Sequence, residues 1–225
     1  MANIAVIPIG GIGSRMKKEI PKQFININNK PLYMYTLEKF QSNSNINKII
    51  IACLKDYKDQ VTKECKDNNI DKLITVVSGG ETQLESIFNC LEYLEGKTAD
   101  NDKIIIHVGN RPNLTDELIT KCIKSYDELG PLSTTVPEIE VMVTKDTKEI
   151  IPRENIIRIQ TPQVYSFSDV KDLISKKNEY KHMAGTMCDL FIKLGKNINF
   201  IEGELLNFKI TYPEDLELFK KIITE

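Results

Sequence analysis

Positions 8–16 read Pro-Ile-Gly-Gly-Ile-Gly-Ser-Arg-Met. Gly10, Gly11 and Gly13 let the backbone bend sharply and bring its N–H groups close to an anion, and a helix starting after them would point its positive end at the same place. Arg15 and then Lys22, in Pro21-Lys22-Gln23, add two fixed cations within reach. That combination suits a triphosphate whose leaving group gains charge during transfer. The segment is not a P-loop, because no Gly-Lys-Ser/Thr follows. A dinucleotide fingerprint fits poorly: Met16 stands where the third glycine would be, and no acidic residue closes the second expected strand, Lys48 to Leu54. The plain alternative for the same residues is a structural tight turn beside two solvated cations.

Other reactive side chains offer less. Cys53, Cys65, Cys90, Cys122 and Cys188 lie far apart, with no Cys-x-x-Cys pair and no neighbouring histidine to complete a zinc site, so they read as buried or casual thiols. His107 ends an apolar run and His182 lies in a polar stretch, the latter reading as a surface residue. Neither has the activated Ser or Cys that a nucleophilic triad needs.

The elements that must position the glycine loop are legible as a rhythm. Continuous β-branched runs at Ile4 to Ile7, Ile49 to Leu54, Leu73 to Val77 and Ile104 to His107 suit parallel strands buried on both faces. Helical patterns fall between them: Leu32 to Phe40, Asp56 to Asn68, a segment opening with a capping-box spacing at Thr82 to Glu85, and Asp116 to Leu129. Such alternation implies a doubly wound α/β sheet with its ligand beyond the carboxyl ends of the strands. After Gly130 the pattern changes. Ser133 to Thr144 and Glu149 to Ile159, joined by a Lys145-Asp146 turn, suggest an antiparallel excursion. A helix from about Ser168 to Lys177, a strand from Ile198 to Ile201 and a terminal helix capped by Thr211-Tyr212-Pro213-Glu214 complete the expectation. With no repeat or long linker, residues 1–225 read as one domain with a β-arm at about 133–159.

Composition excludes several classes. In 225 residues, 41% are apolar and 28% charged, so the chain is neither disordered nor collagen-like and can bury a full core. Thirty Lys+Arg against 32 Asp+Glu, a net charge of −2, argues against a nucleic-acid binder that works by bulk charge. No apolar run approaches the roughly 20 residues of a membrane span, and the N-terminus does not read as a signal peptide, so the expected setting is cytoplasmic, with no membrane partner.

Six ordered blocks resemble the cytidylyltransferases that act on 2-C-methyl-D-erythritol 4-phosphate or ribitol 5-phosphate. They are Gly10 to Met16, Pro21-Lys22-Gln23-Phe24, Gly79-Gly80 with Ser86, Arg111-Pro112, Gln160-Thr161-Pro162-Gln163 and Asn207-Phe208-Lys209-Ile210-Thr211. Each block alone is weak; all six in order, over nearly the whole chain, form a specific signature. Gly203-Glu204-Leu205-Leu206-Asn207 looks slightly more like the ribitol-phosphate branch.

The resemblance implies a Rossmann-like fold, transfer of CMP from CTP to a phosphorylated polyol or sugar, Mg2+ held mainly through the CTP phosphates, and a homodimer whose β-arm reaches the partner's active site. Carried over by motif, the catalytic set is Arg15, Lys22 and Lys209. The nucleotide side is Ile9, Gly10, Gly11, Gly13, Gly80, Glu81, Ser86 and Gly109, and Arg111, Arg153 and Thr186 face the acceptor. Protein ligands for the metal are not among the motif residues. A phosphate monoester is already largely anionic near neutral pH, since its second pKa is roughly 6, so such a reaction needs no side-chain base.

The sequence departs from this family in four places. Val108 stands where an aspartate is usual before Arg111-Pro112; Gln83 replaces an arginine; Glu140-Val141 replaces Asp-Thr in the arm; and Gly185-Thr186-Met187-Cys188 has no carboxylate in the matching place. An enzyme with a changed acceptor, a nucleotide-binding relative that has lost catalysis, and a nicotinamide-dependent oxidoreductase all remain open. The first is preferred because the retained cations are those a phosphoryl-transfer transition state needs.

Overall fold

The computed structural model describes residues 1–11 and 20–224. Gly13, Ser14, Arg15 and Met16 therefore lie outside the described residues. The strands are β1 (Asn3–Ile9), β2 (Asn26–Ile27), β3 (Lys30–Pro31), β4 (Lys48–Cys53), β5 (Leu73–Ser78), β6 (Lys103–Ile106), β7 (Leu132–Pro137), β8 (Met142–Val143), β9 (Ile150–Ile151), β10 (Ile157–Ser166) and β11 (Asn199–Glu202). The α-helices are α1 (Leu32–Ser42), α2 (Lys58–Asp67), α3 (Gln83–Leu94), α4 (Asp116–Leu129), α5 (Phe167–Ile174), α6 (Lys177–Tyr180), α7 (Met187–Lys193) and α8 (Pro213–Ile222).

Seven strands form one sheet in the order β11-β7-β10-β6-β1-β4-β5. β1 pairs in parallel with both β4 and β6, β4 with β5, and β7 with β11, while β10 runs antiparallel between β6 and β7. The chain winds from β1 out through β4 to β5 and then crosses to β6 on the other side of β1. The winding direction thus reverses at β1, and a crevice opens beyond its carboxyl end.

Strand alternation divides the core between the two faces. Ala5 and Ile7 pack with Tyr33, Leu37 and Phe40 of α1, Val61 of α2 and Ile119 of α4. Ile4 and Val6 pack with Leu84, Ile87 and Phe88 of α3, Val170 of α5 and Phe191 of α7. Each fully buried aliphatic side chain contributes roughly 1.5–3 kcal/mol, so these two layers supply most of the stabilisation. A smaller cluster of Ile25, Ile27, Leu32, Ile210, Leu216 and Phe219 clamps the C-terminal segment against the chain that follows Lys22.

The four parallel strands and α4 lie where the hydrophobic pattern puts them, but β5 is an edge strand with Ile74 exposed and only Val76 buried, so it is not covered on both faces as expected. The expected antiparallel excursion divides instead. Leu132–Pro137 and Ile157–Ser166 are strands of the main sheet, and only the two-residue β8 and β9, paired antiparallel, stand apart. Period-two alternation is the same for a sheet strand and for an arm, so pattern alone cannot separate them. The helix expected to Lys177 breaks into α5 and α6. The terminal helix is capped one residue later than its spacing suggested: the Asp215 carboxylate, not that of Glu214, accepts from the backbone N–H of Thr211 and Tyr212 at 2.8 Å each. Among the described residues, no helix is long and apolar enough to cross a membrane.

Candidate active site

Ile9, Gly10 and Gly11 at the end of β1, Gly80, Glu81 and Gln83 before and at the start of α3, and Val108 and Asn110 after β6 line one cleft, together with Lys22, Gln23, Ser86 and Lys209. Eight of the residues singled out from sequence thus share one cavity: Ile9, Gly10, Gly11, Lys22, Gly80, Glu81, Ser86 and Lys209.

The loops meet through bare backbone. A Cβ on Gly10 would lie 3.3 Å from Ser86 Oγ, and one on Gly79 would lie 3.1 Å from that atom and 3.2 Å from the Cys53 carbonyl oxygen. The Ser86 hydroxyl accepts from Gly80 N–H at 3.0 Å and donates to the Thr82 carbonyl at 3.0 Å, folding the Gly80 loop onto the start of α3. A Cβ on Gly80 would fall inside the Glu85 side chain, whose carboxylate accepts from Glu81 N–H at 2.7 Å. Gly109 fits for a similar reason: a Cβ there would collide with Ile9.

Lys22 begins a 3-10 turn, Lys22–Phe24, anchored by Phe24 stacking on Tyr57 with ring centroids 4.1 Å apart. Its Nζ donates to the Ile210 carbonyl at 2.8 Å, and Asn110 Nδ2 donates to the same oxygen at 2.9 Å. Gln23 Nε2 donates to the Ile9 carbonyl and, at 2.6 Å, to that of Gly11. Lys209 Nζ contacts Gln83 Oε1 at 3.4 Å. Gln23 and Asn110 received no role from sequence. The signal available was their position beside Lys22 and Arg111, but the carbonyls they hold come from distant segments.

The Gln160-Thr161-Pro162-Gln163 block lies at a break in the β10–β7 ladder and works as a strut between three loops. Gln160 Nε2 donates to the carbonyls of Glu204 at 3.0 Å and Asn207 at 3.3 Å, and Asn207 Nδ2 returns a bond to the Thr161 carbonyl at 2.7 Å. Gln163 Nε2 donates to Thr186 Oγ1 at 3.0 Å. His107 is fully buried, with Nε2 3.0 Å from the Arg111 carbonyl and Nδ1 3.0 Å from Thr161 Oγ1. A carbonyl only accepts, so Nε2 carries the proton and Nδ1 accepts from the hydroxyl. Burial lowers the His107 pKa to about 3, so the ring is neutral.

The three residues expected to face the acceptor, Arg111, Arg153 and Thr186, stand outside the cleft lining. The mostly buried Arg111 guanidinium donates through Nη1 to the Asn207 carbonyl at 2.5 Å, and its Nε has no partner. Burial first, and then repulsion from Arg158, lower its pKa to about 10. Arg153 lies beside the arm, its Nη1 3.4 Å from the Ile139 carbonyl. Thr186 caps α7, and the Asp189 carboxylate accepts from both its N–H and its hydroxyl at 2.7 Å. That carboxylate stands three positions beyond Thr186 and is engaged in the cap.

Among the described residues, Glu81 is the one carboxylate lining the cleft, and no group of three His, Cys, Asp or Glu could hold a metal ion. A divalent cation here would depend on oxygens brought by its ligand.

A doubly wound sheet with glycine-walled loops and two lysines facing one cleft at its carboxyl edge has the form of a phosphate-handling nucleotide-binding protein. The family model for 2-C-methyl-D-erythritol 4-phosphate cytidylyltransferase matches residues 3–225, and the chain belongs to this family of CTP-dependent cytidylyltransferases. The ribitol-5-phosphate cytidylyltransferase of Vibrio parahaemolyticus is 35% identical over 227 residues, covering 98% of this chain and 95% of that protein. The 2-C-methyl-D-erythritol 4-phosphate cytidylyltransferase of Thermotoga neapolitana is 29% identical over 225 residues, covering 99% and 97%. Among solved structures, the 4-diphosphocytidyl-2C-methyl-D-erythritol synthase of Anaerococcus prevotii superposes with a TM-score of 0.83 at 21% identity, covering 100% of this chain and 96% of that one. At that identity the superposition speaks for the fold.

Proposed function

We propose that the cleft transfers CMP from CTP to ribitol 5-phosphate and releases pyrophosphate. The observation that carries this reading is the convergence of Lys22, Lys209 and the glycine-walled loops on one cavity. The acceptor follows the relatives: those named for ribitol 5-phosphate in Vibrio parahaemolyticus and Lacticaseibacillus paracasei are 35% and 31% identical, against 29% for the Thermotoga neapolitana enzyme named for 2-C-methyl-D-erythritol 4-phosphate.

In this reaction an anionic oxygen of the acceptor phosphate attacks the α-phosphorus of CTP. The new P–O bond forms as the bond to the oxygen bridging the β-phosphate breaks, and pyrophosphate leaves with the electron pair. The chain's contribution is to hold two mutually repelling anions in line and to offset charge on the departing group. Lys22 and Lys209 suit that task, as does Arg15 by its motif alone. Gly10 and Gly11 let backbone N–H groups approach the phosphates, and Gly80, Glu81 and Ser86 would border the cytidine. Mg2+ would enter with CTP, neutralising charge on its phosphates.

Arg111 and Arg153, with Thr186, would grip the acceptor. Arg153 would do so from the arm of a second copy in a homodimer, a reading supported by the exposed apolar side chains of Ile139, Val141, Val143 and Ile150. The five cysteines are free and buried, which is compatible with a reducing cytoplasm.

The test is pyrophosphate release from CTP and Mg2+ with ribitol 5-phosphate or 2-C-methyl-D-erythritol 4-phosphate, with the CDP product weighed by mass spectrometry. Turnover of ribitol 5-phosphate at a much higher kcat/KM supports the proposal. Preference for the other acceptor overturns the substrate, and stabilisation by CTP without turnover of either overturns the catalytic reading.

A further inference from the structure

Gln83 is the first residue of α3, directly after the Thr82 N-cap, and its side chain lines the cleft. An amide side chain has one accepting and one donating end, whereas a lysine ammonium only donates. The 3.4 Å contact with Lys209 Nζ therefore sets the amide's orientation, with Oε1 towards the ammonium and Nε2 turned away. Nε2 is shielded from solvent and has no hydrogen-bond partner. Proteins leave few buried donors in that condition, and the exceptions call for a reason.

The surroundings supply one. Gln83 shares its cavity with Lys22 and Lys209, and the same cavity receives the N-terminal end of α3, whose dipole favours negative charge. Two lysines, a helix N-terminus and a residue with an unmet donor line this cavity beside the carboxylate of Glu81, a lining that suits an occupant rich in anionic oxygen. We propose that Gln83 reads the phosphates of the bound nucleotide: Nε2 donates to a phosphate oxygen, while Oε1 steadies Lys209 beside the same phosphates. The terminal torsion of glutamine is broad, so a rotation about it can turn the shielded Nε2 towards such an oxygen. This inference rests on the reading of the cleft as a CTP site.

The experiment is calorimetric titration of CTP and of cytidine, which lacks phosphates, into the native protein, Gln83→Met and Gln83→Glu, with melting temperatures alongside. Gln83→Met keeps the length and removes both polar ends; it should weaken CTP binding roughly tenfold or more and leave cytidine unchanged. Gln83→Glu keeps an acceptor for Lys209 and suits a helix N-terminus, so it should fold, but it faces the phosphates with charge and should weaken CTP further. Equal losses for CTP and cytidine, or CTP affinity unchanged in both variants, would overturn the role of Gln83 while leaving the CTP site intact. A native protein that binds neither ligand would overturn both readings.

Discussion

Lys22 Nζ lies 2.8 Å from the Ile210 carbonyl oxygen although 188 positions separate the two residues. The bond joins the turn after the glycine loop to the segment that carries Lys209, so the two lysines of the cleft are positioned by one tertiary contact. Asn110 donates to the same oxygen, so Ile210 keeps a donor if Lys22 is removed.

Lys22→Met should therefore fold normally. It should lower kcat on the order of a hundredfold with a smaller change in the KM for CTP, because the ammonium matters most as pyrophosphate gains charge. Steady-state kinetics decide the matter: an unchanged kcat with a raised KM would make Lys22 a ground-state binding contact only.

Gln23 tests the loop rather than the chemistry. Its amide is buried and holds the carbonyls of Ile9 and Gly11. Gln23→Leu should cost about 1–3 kcal/mol in urea unfolding, from two carbonyls losing their donor, and should raise the KM for CTP more than it lowers kcat. Equal stability and unaltered KM would remove the loop-holding role.

These side-chain bonds mark the limit of what the sequence discloses. β1, β4 and β6 were legible because β-branched runs without polar alternation suit a strand buried on both faces, whereas β5 carries the same kind of run at the sheet edge with Ile74 exposed. The glycines and lysines that line the cleft were recognisable from their motifs. Gln23, Gln83 and Asn110 were not, because an amide's role depends on the carbonyl or ammonium that the fold brings to it. β10, antiparallel between parallel neighbours, was hidden for a related reason: its pairing with β6 and β7 is set by chain topology, whereas its residue pattern resembles that of any buried strand.

His107 gives a pH prediction. Its folded pKa is lowered to about 3 from an unfolded value near 6.5. The unfolded chain therefore binds the extra proton first, and stability present above pH 6.5 is lost as the pH falls towards 3. Between pH 6.5 and 5 this one group should remove about 1.6 kcal/mol, the slope rising from half to nearly all of roughly 1.4 kcal/mol per pH unit. His107→Gln, whose amide can still donate to the Arg111 carbonyl, should flatten the pH dependence of urea unfolding by that amount. Parallel curves for the two proteins would show that His107 titrates normally.

The arm predicts association. Val141 and Ile150 are each 71% exposed, and a pair of two-residue strands cannot bury such side chains by itself. Sedimentation should show a dimer at micromolar concentration, and Val141→Asp with Ile150→Asp should yield a folded monomer with impaired turnover. A native monomer would end the idea that Arg153 serves a neighbouring subunit.

Val108 tests the metal. It lines the cleft beside Asn110 and is only 4% exposed, in the place where the motif that this sequence resembles has an aspartate. If Mg2+ is held by the triphosphate alone, the native protein should need more Mg2+ for half-maximal rate than a site with its own carboxylate, since each anionic oxygen ligand adds affinity for a hard cation. Val108→Asp should then lower that concentration. Burial opposes the change, because a carboxylate without a partner would stay protonated or destabilise the fold, but Lys22 and Lys209 line the same cleft and favour its ionised form. A thermal melt establishes whether the variant folds, and rates across a Mg2+ titration then decide. A folded variant with an unshifted titration places Val108 away from the metal. A lowered half-saturation with an unchanged KM for ribitol 5-phosphate assigns the position to the metal rather than to the acceptor, and makes the valine the reason this chain leans on the phosphates of CTP to hold its cation.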